Sequence, residues 1–468
     1  MIETWKKLYE KRGHKDADED KINKEINNKL LEYQLRDYER KLICLKNLKE
    51  EKGKSAAVFK LKEKIVGSKK VCQEAVTMKD PLSGELIVEN DKLKEASVKY
   101  VSSLLKNRSP KEEYKDEFNL MEHLHDIRSC NDYDSMNMIT DEDYAQFLKQ
   151  VAKKNKKSYQ FILKAGNSFH SVLFALYQKV WSIEKKPAMW ENTTCIQLYK
   201  GRGRKDDFNN QRFIHTKDEI PKGFEYILIN KVKPTMIQSC TKYQIGAIPG
   251  HQAAEHLFSI KSIMALFNEA GQPLILQCFD LKKYFDSENL KDAMNSLFEC
   301  GIRGKEYNLI YELNRQNKIQ IKTSVGMSDT FTTGPIVSQG SIGGGLISAL
   351  NLDYSINKFF LNSNNEIFYH NVRLQPLIYQ DDLGKFSSNR MDAQAGNDRI
   401  ETCMETKLLD LHKDKSCYIL IGNKKITEEI STELEHYPLT LYGEKNETKN
   451  IRKVFGRFYS LWRCCKIS

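Results

Sequence analysis

The stretch Leu274-Ile275-Leu276-Gln277-Cys278-Phe279-Asp280-Leu281-Lys282-Lys283-Tyr284-Phe285-Asp286 reads as a buried strand that follows Pro273 and ends on a carboxylate. An aromatic, Phe285, comes five residues after that acid. A strand that delivers an Asp to its tip is built to hold something cationic. Well downstream, Leu377-Ile378-Tyr379-Gln380-Asp381-Asp382-Leu383 repeats the idea, with an apolar strand running into paired acids in a hairpin turn. Two strands offering three carboxylates, Asp280, Asp381 and Asp382, indicate a divalent-metal site.

The composition sets bounds around that core. The 468 residues, 40% hydrophobic and 29% charged, suffice for two or three domains with a substantial core and exclude a chain disordered throughout. A formal net charge of +11 favours a polyanionic partner such as nucleic acid over an acidic small molecule. The 11 cysteines include no CxxC pair and no regular spacing, and neither a signal-like nor a long apolar run follows Met1. An intracellular, reducing setting in nucleus or cytoplasm is therefore expected, with no membrane span.

The N-terminal part is a different material. From Asp16 to about Lys70 it is dense in Lys, Glu and Asn, and Leu31, Leu35, Tyr38, Leu42 and Leu45 form one narrow apolar stripe. This predicts an amphipathic helix, either packed on its own protein or serving as a dimerising or template-binding arm. The segment Lys79 to Leu86 reads as a turn between short extended pieces, Leu93 to Leu105 as a helix, and Lys106 to Pro110 as a linker.

From Asp141 onward the pattern is α+β. Asp141 to Lys153 predicts a capped helix, Asn155-Lys156-Lys157 a basic loop, Phe169 to Trp181 an apolar helix and Thr194 to Tyr199 a strand. That strand turns at Lys200-Gly201-Arg202-Gly203-Arg204-Lys205, a basic loop whose Gly-x-Gly supports neither a dinucleotide nor a Walker phosphate motif. After Asp286, the apolar positions Leu290, Ala293, Met294, Leu297 and Phe298 predict a helix stopped by Gly301. Ile319 to Thr323 and Asp329 to Thr333 resemble a hairpin. Gln339-Gly340-Ser341 and Gly343-Gly344-Gly345 then lead into an apolar helix through Leu350 and Ile356. A glycine beside a polar residue allows close backbone approach.

The order of basic turn, Arg212, Phe279-Asp280, Phe285, Gln339-Gly340, Tyr379-Gln380-Asp381-Asp382 and Lys415 resembles the reverse transcriptase domain of non-LTR (LINE-type) retrotransposons over roughly residues 140 to 425. The resemblance implies an α+β right-hand polymerase with fingers, an antiparallel palm sheet and an incomplete thumb, preceded by a helical N-terminal extension. Its implied division is 1–110 for the extension and linker, 111–425 for fingers and palm, and 426–468 for a palm-closing segment and partial thumb. The implied activity is RNA-directed DNA polymerisation from dNTPs on an RNA template with a DNA primer.

The same resemblance assigns roles. Asp280, Asp381 and Asp382 would bind two Mg²⁺, or Mn²⁺ in their place, a hard-cation site with no His or Cys cluster. Arg212, and with it Lys200, would grip the incoming triphosphate. Gln339 and Gly340 would lie under the templating base pair, with Tyr379 at the start of the acidic turn. Phe285 would sit beneath the sugar and exclude a 2′-hydroxyl. Lys415 would donate a proton to the leaving pyrophosphate, with Lys413 as the neighbouring alternative.

Several positions depart from the family pattern: Tyr284 replaces a small residue, Gln211-Arg212-Phe213 replaces Tyr-Arg-Pro, and the glycines at 343–345 replace a Ser-Pro helix start. Such a Gly-rich start predicts a mobile Gln339 region. After Gly422 the sequence predicts a palm-closing turn near Leu441-Tyr442-Gly443 and a basic helix from Lys449 to Cys465. With neither an endonuclease pattern nor a Cys/His knuckle, the chain reads as the polymerase core of a larger element. An RNA-dependent RNA polymerase and a catalytically weak RNA-binding remnant are the competing expectations.

Overall fold

Two five-stranded sheets organise the protein, whose computed structural model describes residues 78–448 apart from 82, 106–109, 131–137, 155–158, 202, 361–366, 370–371, 423 and 446. The chain divides into two units, Met1–Glu74 and Ala75–Ser468, and everything described belongs to the second. The helix expected over residues 16–70, the 155–157 loop, most of the 106–110 linker and the helix expected from Lys449 lie outside the described residues.

In chain order the elements are β1 (Met78–Lys79), β2 (Leu86–Ile87), α1 (Asn90–Leu104), α2 (Lys115–Cys130), α3 (Asp141–Lys154), α4 (Gln160–Lys164), α5 (Asn167–Ile183), β3 (Asn192–Tyr199) and β4 (Gln211–Thr216). Next come α6 (Glu219–Ser239), α7 (Ala253–Glu269), β5 (Leu274–Asp280), α8 (Tyr284–Ser287), α9 (Leu290–Glu299), α10 (Gly304–Asn314), β6 (Asn317–Thr323), β7 (Gly326–Met327) and β8 (Phe331–Thr333). The last are α11 (Gly344–Phe360), β9 (Ile367–Tyr369), β10 (Val372–Leu374), β11 (Leu377–Tyr379), β12 (Asp382–Ser387), α12 (Arg390–Thr406), β13 (Cys417–Ile421), α13 (Lys424–His436), β14 (Thr440–Leu441), β15 (Glu444–Lys445) and β16 (Glu447–Thr448). The mixed helix-and-sheet class expected from the sequence is present. Among the described residues no helix is long and apolar enough to cross a membrane.

The sheet that matters most runs β11-β12-β5-β13-β16. Strand β5 is central because Leu274–Phe279 is buried on both faces, which a strand tolerates only when covered on both sides. Phe279 packs with Leu383, Ile400 and Met404, and Leu276 and Cys278 pack with Ile260, Phe267 and Ile419. The polar Gln277 is accommodated because its Nε2 donates to Ala393 O at 2.8 Å and its Oε1 accepts from Ser387 Oγ at 2.7 Å.

The second sheet runs β4-β3-β6-β7, with β8 also on β6. Strand β6 pairs β3 in parallel and both β7 and β8 antiparallel; only the β6–β8 pairing was suggested by the alternating runs Ile319–Thr323 and Asp329–Thr333. Helix α1 covers one face, where Leu93, Tyr100 and Val101 share a core with Cys195, Phe213, Ile319 and Ile321. β1 and β2 form a two-stranded sheet of their own, and with α1 they pack against this five-stranded sheet. A largely helical core fills the remainder, drawn from α3, α5, α6, α9, α10 and α11.

Local signals explain several helix ends. Thr140 and Asp143 bond reciprocally at the start of α3, at 3.2 and 2.9 Å. Asn289 Oδ1 accepts from Lys291 N at 2.8 Å at the start of α9, and Gly301, at φ +95°, follows its end.

Candidate active site

Tyr379 and Asp382 are cross-strand partners, so β11 and β12 are joined by a two-residue turn, Gln380-Asp381. Gln380 has φ +56°, the left-handed conformation that such hairpin turns need and that glycine usually supplies. A non-glycine residue there is strained and persists only when its surroundings hold it. In the neighbouring ladder Asp382 stands opposite Asp280 at the end of β5.

These acids share one electrostatic field. Burial pushes the Asp381 carboxyl up to about 6, and the negative charge of Asp280 adds to the rise, while Lys415 and Arg212 oppose it. Lys415 Nζ donates to Asp280 Oδ2 at 2.9 Å. Its neighbour Lys413 instead bonds Glu444 Oε1 at 2.6 Å, so of the two lysines it is Lys415 that faces the acids. The turn bearing Lys415 is tied to β5 because His412 N donates to Asp280 O at 2.7 Å and Asp280 N donates to Ser416 Oγ at 3.3 Å.

The cations come from the other sheet. Along β4 burial alternates, so Gln211, Phe213 and His215 turn inward while Arg212 is exposed. Arg212 pairs with Leu198 across β3, and Lys200 follows the end of that strand. Burial lowers the Lys200 ammonium to about 8, helped by the positive charges of Arg212, Lys415 and Lys283 and opposed by Asp286. Lys200 Nζ donates to Asn209 O at 2.8 Å. Lys200, Arg212, Lys415 and the acids thus influence one another across two sheets that are far apart in sequence.

Gln339 and Gly340 lie against β4. His215 N donates to Gln339 O at 2.8 Å. Gly340 has φ +115°, and a Cβ there would fall 2.5 Å from His215 O and 2.9 Å from Ile214 Cγ2, so only glycine fits. The glycines that follow also permit contact: a Cβ at Gly343 would fall 2.4 Å from Ile229 Cδ1, and one at Gly344 would fall 2.6 Å from Ser341 Oγ. Gly343 thus permits tight packing against α6, and Gly344 permits close approach to Ser341. Glu225 of α6 secures the segment by accepting from Ile342 N at 2.7 Å and Gly343 N at 3.2 Å.

The two adjacent aromatics divide their roles. Tyr284 is 2% exposed in the core beside Leu352 and Ile356, and its hydroxyl donates to Ser348 O at 2.7 Å. Phe285 is half-buried, its ring centroid 5.8 Å from that of Tyr284. Tyr379 is also half-buried, at the end of β11.

Some contributors carried no sequence signal. Lys283 Nζ donates to Tyr100 OH at 3.0 Å and lies 4.9 Å from that ring's centroid. Tyr100 OH donates in turn to Asn209 Oδ1 at 3.0 Å, so α1 ties the β3–β4 turn to the loop after Asp280. Asp286 is enclosed as well, and burial raises its carboxyl to about 6 against the pull of Lys283 and Lys200. Gln244, in a stretch to which the sequence reading assigned nothing, lies beneath the Gln380-Asp381 turn.

Among the described residues, no three His, Cys, Asp or Glu side chains form a ready-made metal cage. The donor set is Asp280 and Asp381, mutually repelling, with Asp382 across the ladder. Residues 200–449, more than half of the chain, match the family described as reverse transcriptase (RNA-dependent DNA polymerase). The chain belongs to the reverse transcriptase family. The matched residues span Lys200, Arg212, Asp280, Asp381, Asp382 and Lys415, so the acids and cations described above lie within the family's region, whereas Tyr100 precedes it. No curated protein matches the chain. Among solved structures it is similar to apo telomerase from Candida tropicalis truncated from its C-terminal domain, with 13% identity and a TM-score of 0.36. That likeness covers 50% of this chain and 51% of the telomerase chain, about half of each, and is too distant to bear on function.

Proposed function

We propose that the chain is an RNA-directed DNA polymerase of the non-LTR type, extending a DNA primer on an RNA template with dNTPs. The observation that carries this reading is the meeting of Asp280 and Asp381 with Lys415 and Arg212 in one field, within a region that belongs to the reverse transcriptase family. In polymerase terms the β5 sheet is the palm and the β3–β4 hairpin belongs to the fingers. The same reading places the protein with RNA, in nucleus or cytoplasm.

Asp280 and Asp381, with Asp382, would hold two Mg²⁺, or Mn²⁺ in their place. A carboxylate pair that is no cage by itself suits Mg²⁺, which completes its shell with substrate phosphates and water. When bound, the ions supply neutralisation of charge on the attacking and leaving oxygens. The residues of the chain do the rest. Arg212 binds the triphosphate through a permanently charged planar fork, and Lys200 adds a second positive charge. The primer 3′-hydroxyl gives up its proton to solvent and its oxygen bonds to the α-phosphorus as the bond to the pyrophosphate oxygen breaks. Lys415, released from Asp280, gives that leaving oxygen a proton. Gln339 and Gly340, lying against β4, support the base pair, and Phe285 lies beneath the sugar, which favours dNTPs over NTPs.

Primer extension on an RNA template with Mg²⁺ tests the proposal, dNTPs being compared with NTPs. Extension with dNTPs is the expected result. Extension with NTPs alone would indicate an RNA polymerase, and RNA binding without extension would indicate a remnant.

A further inference from the structure

We infer that Gln244 is a positioning residue that sets the shape of the Gln380-Asp381 turn; the inference rests on the polymerase reading for its effect on rate. The segment Tyr243–Gly246 runs beside β11, where Ile378 N donates to Tyr243 O at 2.9 Å and Ile245 N donates to Ile378 O at 3.1 Å. His256 Nε2 lies 2.9 Å from Tyr243 O and 3.0 Å from Ile378 O, which fixes the pair further.

The Gln244 side chain is 1% exposed and reaches the turn with both ends. Its Oε1 accepts from Gln380 N at 3.1 Å and from Gly246 N at 2.8 Å. Its Nε2 donates to Gln380 O at 3.4 Å and Ala349 O at 3.3 Å. One side-chain amide therefore engages both backbone polar groups of Gln380, the left-handed residue immediately before Asp381. A left-handed non-glycine residue relaxes unless it is held, and this amide supplies the hold. Gly246 is part of the same device, since a Cβ there would fall 2.1 Å from Gln380 N. Gln244 itself approaches no reacting group. It acts through the position of the Asp381 carboxyl.

The test uses Gln244→Met, which keeps the volume and removes the hydrogen bonds. Losing a partner for a buried amide costs enough to lower the single-turnover extension rate about 10- to 100-fold. Primer-template affinity and the dNTP concentration at half-maximal rate should stay at wild-type values. The discriminating arm is a double-mutant cycle with Gln380→Gly, because glycine adopts the left-handed turn unaided. In the Gln380→Gly background the Gln244→Met effect should shrink to less than about 3-fold, an outcome that a general packing role for Gln244 does not produce. An undiminished effect in that background, or a folded Gln244→Met at full rate, overturns the inference. If the wild type does not extend primers at all, the polymerase reading fails separately. Amide hydrogen exchange then decides the matter: the Gln380 amide should exchange about tenfold faster or more in Gln244→Met, and equal exchange overturns the inference.

Discussion

Replacing Phe285 with Val separates sugar selection from a purely structural role. Phe285 is half-buried and absent from the buried core, whereas Tyr284 is 2% exposed within it. An aromatic ring covers about 200 Å², and one at the intermediate exposure of Phe285 hides about 150 Å², of which Val retains roughly half. At about 25 cal/mol per Å² the change costs about 2 kcal/mol. Truncating the fully buried neighbour, Tyr284→Ala, costs about 3–5 kcal/mol. Overlap of a 2′-hydroxyl with the Phe285 ring, at about 1–3 kcal/mol, amounts to roughly 5- to 150-fold discrimination. Single-nucleotide primer extension with matched NTP and dNTP, run beside thermal unfolding, measures both quantities. Phe285→Val should raise ribonucleotide use by that factor with a smaller fall in Tm than Tyr284→Ala produces. An unchanged ratio in the folded variant refutes the gate, and a stability loss as large as that of Tyr284→Ala would make Phe285 a core residue.

Asp381→Asn should abolish extension while RNA affinity and its steep decline with salt persist, since binding rests on Lys and Arg contacts to phosphate; full-rate synthesis would remove Asp381 from the chemistry. Arg212→Ala should raise the KM for dNTP several-fold at nearly constant primer-template affinity, whereas an unchanged dNTP dependence would leave Arg212 an ordinary surface residue. Because burial pushes the Asp381 carboxyl up to about 6, a proton would compete with a bound cation below that pH. Apparent Mg²⁺ affinity should therefore rise with pH up to about 6 and level off above it; a flat profile across that range would contradict the shared carboxylate site. Buried Lys385, which donates to Ser387 Oγ at 2.7 Å, has its ammonium lowered by burial from 10.5 to about 8. The folded state binds fewer protons than the unfolded one between those values, so stability should rise with pH across that window. Lys385→Met should raise Tm at neutral pH and flatten the slope, and a lower Tm would show that the ammonium stabilises the fold.

The strand-acid-turn logic was legible because its signals are local. Six residues buried on both faces precede Asp280, and a two-residue turn follows Tyr379, so both tips could be read from the sequence alone. Helix α6 was not legible, because Phe224, Tyr226, Ile227, Leu228 and Ile229 are all buried and leave no 3.6-residue stripe. Its Pro221, Gly223 and Pro234 also argue locally against a helix, and tertiary packing overrides them. Tyr100 meets Lys283 across 183 residues, a contact that no spacing rule anticipates. Gly343 and Gly344 could be read only as an entropic cost, because their reason, contact with Ile229 and Ser341, lies in the folded arrangement.

The central place of β5 also has a consequence for how the chain is made. As synthesis proceeds, the apolar strand Leu274–Phe279 emerges with neither neighbour present, since β12 and then β13 are both made later. Until Cys417–Ile421 has been made, one edge of β5 is without its native ladder partner, and an unpaired apolar edge is a template for intermolecular pairing. Pairing across such sequence distances is slow. A nascent chain or fragment that ends between Ser387 and Cys417 therefore carries its least soluble strand half-paired. Assembly of the proposed catalytic acids with Lys415 coincides with the closing of that edge, so one late event both pairs the exposed strand and completes the proposed site.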